Sequence, residues 1–76
     1  MTKQEQLMEY SIQDIIEYIV QDFGLEYDHA MQIFYNSQTF DKLMDIETGL
    51  YRESSAYVYG IFQGERNFGS LIQTEI

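Results

Sequence analysis

Six apolar residues, Met8, Ile12, Ile15, Ile16, Ile19 and Phe23, recur at helical spacing and form one continuous stripe. Gln13, Asp14, Glu17 and Gln21 point away from it, so the first third of the chain reads as one long amphipathic helix that must bury a side. Two starts compete. Thr2 with Glu5, and Ser11 with Asp14, each fit the pattern in which a hydroxyl and a carboxylate satisfy free backbone N–H groups reciprocally. The earlier start is favoured. It places Glu5 and Glu9 close to the apolar edge, where the first two turns either fray or meet a partner. Gly24 supplies the positive φ that ends the helix, and Leu25 can close back on its last turn.

The remaining elements are shorter. Ala30, Met31 and Phe34 share one face of a helix from Tyr27 to Tyr35, which Asn36 can end in the left-handed conformation. Ser37 or Thr39 then caps a third helix running to about Asp45, with Phe40, Leu43 and Met44 inward. Ile46, Glu47, Thr48 and Gly49 read as loop, with Gly49 at the positive-φ position of the turn. Ser54 or Ser55 opens a last helix with Val58, Ile61 and Phe62 inward and Tyr57 and Tyr59 beside them; Gly60 and Gly64 blur its end. The spacing therefore predicts an all-α domain of four helices, at about 3–22, 27–35, 38–45 and 54–64, with a loosely held tail over 66–76. With no proline, repeat or low-complexity linker, one domain is expected, the first helix being the spine for the others.

Seventy-six residues lie near the lower limit for independent folding, where a core seldom supplies more than ~3–5 kcal/mol of net stability. No cysteine is present and no metal-ligand cluster is apparent, so apolar packing or association must do the work of the usual staples, which favours a homodimer or an obligate complex. The formal charge is −9, yet 45% hydrophobic and 16% aromatic content is enough to order the chain. Between Lys3 and Lys42 stand Glu5, Glu9, Asp14, Glu17, Asp22, Glu26, Asp28 and Asp41, with no Lys or Arg among them. Such a field attracts basic surfaces and repels nucleic acid and anionic membranes. The N-terminus carries no signal-like pattern, and no run approaches the ~18 apolar residues of a membrane span, so a cytoplasmic address is expected.

Known chemical motifs fail on their spacing. Residues 27–45 have the outline of a helix-turn-helix, but its second helix offers Gln38 and Lys42 against Asp41 and Asp45, the wrong balance for reading bases and phosphates. Direct nucleic-acid binding is therefore not expected. Asp45, Glu47 and Gly49 faintly outline a calcium loop, but Leu50 and Ala56 occupy the sixth and twelfth positions that need glycine and a bidentate carboxylate. One histidine, His29, and no thiol exclude an ordinary zinc site. His29 beside Asp28 has no nucleophile or oxyanion site to serve, so neither a cofactor nor enzymatic activity is expected. The seven tyrosines exceed what so small a core can hide, and tyrosines beside carboxylates suit an interface with a basic face.

The segments Phe34-Tyr-Asn-Ser-Gln-Thr-Phe-Asp-Lys-Leu and Glu47-Thr-Gly-Leu-Tyr-Arg-Glu-Ser-Ser-Ala-Tyr-Val-Tyr resemble a stretch shared by a group of short, acidic bacterial proteins. The resemblance covers roughly residues 12–65 and is most specific over 47–51. It implies an antitoxin or adaptor role by association and assigns no residue a function. Within it, Tyr51 and Arg52 place an aromatic beside a cation where no local rule demands one, and they are expected to make a contact beyond the fold. The leading expectation is thus an interaction module that masks a basic protein partner through Glu9, Tyr10, Asp14, Glu17 and Tyr18 on the outer side of the first helix, with Tyr51 and Arg52 assisting. The alternative is a homo-oligomeric adaptor whose acidic face serves only solubility.

Overall fold

A computed structural model describes residues 2–68 and shows four α-helices and no strand among them. Helix α1 (Lys3–Phe23) starts at the earlier of the two candidate caps: Thr2 Oγ1 accepts from the Glu5 N–H at 3.1 Å and Glu5 Oε1 accepts from the Thr2 N–H at 2.9 Å. Ser11 is buried inside the helix instead. Gly24, at φ 66°, returns its N–H to the Val20 carbonyl and ends the helix.

Helix α2 (Tyr27–Tyr35) ends without a left-handed residue, which corrects the reading of Asn36. Its φ is −94°, and its side-chain amide donates to the Gln32 carbonyl at 2.8 Å. The turn closes this way because Ser37 must be extended at once to cap helix α3 (Gln38–Met44), where its Oγ accepts from the Phe40 N–H and donates to the Phe34 carbonyl. Helix α3 stops one residue early, since Asp45 turns extended and its carboxylate caps the Glu47 N–H. The segment expected as loop, 46–49, holds a 3₁₀ turn, Ile46–Thr48, closed by Gly49 at φ 71°, and a second 3₁₀ turn, Leu50–Arg52, follows it. Helix α4 (Ser55–Phe68), with the Ser54 Oγ accepting from the Tyr57 N–H, runs through Gly60 and Gly64 and past the expected end at 64. The expected tail is therefore helical over 66–68, and its remainder, with Leu71, Ile72 and Ile76, lies outside the described residues.

Helix α1 is the spine, packing on α2 along one side and on α4 along another, while α3 packs chiefly on α4. Ile15, Ile16 and Ile19 of α1 meet Ala30, Phe34, Leu43, Val58 and Phe62 in a core closed from the loop by Leu50 and Tyr51. Phe34 is the hub. Its ring stands edge-on to Phe40 at 5.6 Å and to Phe62 at 5.7 Å, so one α2 side chain touches α3 and α4 together. At 18 Å across Cα atoms in its thinnest direction, the molecule holds two helix layers at ordinary ~8–10 Å spacing. Side chains at the edges of that slab stay uncovered. Phe23 and Met44, both expected inside, are 48% and 45% exposed; the Arg66 guanidinium lies 5.5 Å from the Phe23 ring centroid.

Polar contacts tie α4 to its neighbours at three points. Ser55 Oγ donates to Asp14 Oδ2 at 2.7 Å near the start of α4, and the Tyr59 hydroxyl donates to Asp22 in its middle. Near its end, Glu65 accepts from the Gln38 and Thr39 N–H groups and from Thr39 Oγ1, at 2.8 to 2.9 Å. Burial, followed by the bond to Asp22 and the charge of that carboxylate, pushes the Tyr59 phenol up to about 12. The unfolded phenol ionises near its ordinary ~10, so the unfolded chain releases this proton first. The stability owed to Tyr59 is thus whole below pH 10 and falls as pH rises from 10 through 12. Urea unfolding followed by far-ultraviolet circular dichroism between pH 9 and 12 should show this decline, and Tyr59→Phe should flatten it.

Candidate partner-binding site

Because α1 and α3 each pack chiefly on other helices, the space between them is left open as a groove of about 610 Å³. Its floor is Met8, Ile12 and Ile16, one residue from each of three successive turns of α1. The facing wall is three aromatic rings and a thioether: Tyr27 and Tyr35 from α2, Phe40 and Met44 from α3. Tyr35 and Phe40 lie ring against ring at 4.8 Å, which joins the two helices along that wall. Tyr27, Tyr35 and Met44 are each close to half exposed. Glu5 and Glu9, one turn apart on α1, form the rim with Gln13, and among the described residues the lining contains no cation. Such a surface can hold apolar groups with positive charge beside them. His29 stands elsewhere, on an open depression beside Gln32, Asn36 and Arg66.

The structure divides the residues expected to bind a partner. Glu9 is on the rim of the groove. Tyr10, 61% exposed, and Glu17 face solvent on α1, with no polar partner among the described residues. Asp14 and Tyr18 are turned toward α4: Asp14 receives the Ser55 hydroxyl, and the half-buried Tyr18 ring meets that of Tyr59 at 5.1 Å. Tyr51 is only 6% exposed and belongs to the core, so it is not available as a free contact surface. Arg52 lies over it, 5.4 Å from the ring centroid, and donates from Nε to its hydroxyl at 3.2 Å. That oxygen holds the Arg52 guanidinium above even its usual high range. The pairing that no local rule required is an intramolecular one: a cation covers the outer edge of a core aromatic.

Sequence reasoning found the acidic edge at Glu5 and Glu9 but missed the wall opposite. Met44 and Phe40 carry the spacing of a buried side, and nothing in that spacing tells that Leu43 is fully buried, Phe40 partly and Met44 left close to half exposed. Tyr27 and Tyr35, exposed aromatics at the two ends of α2, were the available signal.

Comparison with protein-family models, curated proteins and solved structures finds no match to this chain. Among the described residues no helix is long and apolar enough to cross a membrane.

Proposed function

We propose that the chain is an acidic interaction module that binds and masks a basic protein partner in the cytoplasm, as an antitoxin-like inhibitor or an adaptor. The observation that carries this reading is the open apolar groove rimmed by Glu5 and Glu9 in a chain of charge −9. Apolar burial in the groove would provide the affinity, and the surrounding carboxylates would select cationic partners and speed encounter. Glu17 and Tyr10, exposed on the neighbouring face of α1, extend the same surface.

Capture from lysate of the source organism on the tagged protein tests it. A basic protein should be retained at low salt and released at high salt, because exposed charges are screened within ~8 Å at physiological ionic strength. Reversing Glu9 and Glu17 to Lys should weaken capture by roughly tenfold, two exposed pairs being worth up to ~1 kcal/mol each. Recovery of nothing but a salt-resistant homodimer would overturn masking in favour of a self-assembling adaptor.

A further inference from the structure

The groove, rim and floor together, follows α1 from Glu5 to Ile16, a length of about 16 Å at 1.5 Å per residue, or three turns of helix. The floor is apolar, so an extended peptide laid on it would leave backbone N–H and C=O groups without partners. Among the described residues there is no strand whose edge could receive them. A helix satisfies its own backbone and offers only side chains. A surface built between helices presents the ridges and hollows that helical side chains fill.

Charge narrows the occupant further. The rim holds two carboxylates, and Lys42, two residues from both Phe40 and Met44, falls on the other side of α3. A second copy of this chain would bring −9 against −9. Met44, close to half exposed, is unbranched and adjusts to the shape of whatever is bound.

We propose that the groove receives an amphipathic helix of about three turns, with Lys or Arg flanking its apolar stripe. This rests on the interaction-module reading and specifies the partner of that same site. The apolar residues of the occupant, spaced three and four apart, pack on the part-exposed Ile12 and against Tyr35 and Met44. Its cations meet Glu5 and Glu9.

The full chain, isotope-labelled, would be titrated by NMR at low salt with a synthetic Leu/Lys peptide of about 14 residues whose leucines form one helical stripe. A second peptide would have the same composition shuffled to break the stripe. The striped peptide should bind at least about tenfold more tightly, since only it can bury its leucines together. Shifts should cluster at Ile12, Gln13, Tyr35 and Met44. Met44→Asp and Tyr35→Asp, at half-exposed positions and checked for folding by circular dichroism, should each bring the striped peptide down to the shuffled one. Equal binding of both peptides, with shifts spread over the acidic surface, would overturn the helix-in-groove assignment and leave the module reading standing. No binding of either would overturn both. Self-association that shifts the same residues without peptide would show a second copy in the groove and overturn the assignment.

Discussion

Phe34→Ala is expected to leave the chain largely unfolded at room temperature. The residue is fully buried, and its ring joins α2 to both α3 and α4. Emptying such a site costs about 3–5 kcal/mol, the lost burial plus the cavity left behind. A domain this small holds only ~3–5 kcal/mol in all. The loss therefore matches the whole reserve. Far-ultraviolet circular dichroism should show most of the helix signal gone in buffer, with Phe34→Leu giving a folded protein of lowered urea midpoint. A Phe34→Ala chain that kept a midpoint near that of the parent would place the centre of the core elsewhere.

Glu65→Ala is expected to cost about 2 kcal/mol, within the range for hydrogen bonds to a charged group and reduced for partial exposure. Glu65 reaches from α4 to the first turn of α3 and receives two backbone N–H groups and the hydroxyl of Thr39, a residue with no exposed surface. It supplements Ser37, which caps only the Phe40 N–H. A helix of seven residues does not persist alone, so its position depends on these anchors and on Phe40 and Leu43. Hydrogen exchange read at the Gln38 and Thr39 amides should accelerate together with a drop in the urea midpoint. Thr39→Val in the Glu65→Ala background should add less than it does alone, because both remove the same bond. Unchanged exchange at those amides would mean that Ser37 alone holds the start of α3.

This second prediction bears on the groove. Phe40 and Met44 form its outer wall and ride on α3, whereas Glu65 lies outside the lining. Loosening α3 at its start should therefore weaken peptide binding without altering any residue that the peptide would touch. The anchor of the wall and the surface it presents are on opposite sides of one short helix.

Much of the fold was legible because it depends on local chemistry. The stripe from Met8 to Phe23, the reciprocal cap of Thr2 and Glu5, the serine caps and the positive φ of Gly24 and Gly49 are each decided by neighbours within four residues. The errors came where one local solution displaced another. Asn36 closes its turn through a side-chain bond, and Ala56 to Gln63 carry α4 on through Gly64 because packing against α1 and α3 outweighs the cost of glycine.

The site was legible only on one side. Sequence periodicity determined four helices, the acidic edge of α1 and the apolar residues available for burial, since each follows from the order of side chains around one helix axis. Which of those residues are covered was decided by the tertiary structure. Asp14, Tyr18 and Tyr51 turned to internal partners, while Tyr27, Tyr35 and Met44 were left open between α1 and α3. Burial is a property of pairs of surfaces, and a pair forms only when helices distant in sequence dock, so no spacing within a single helix carries that information.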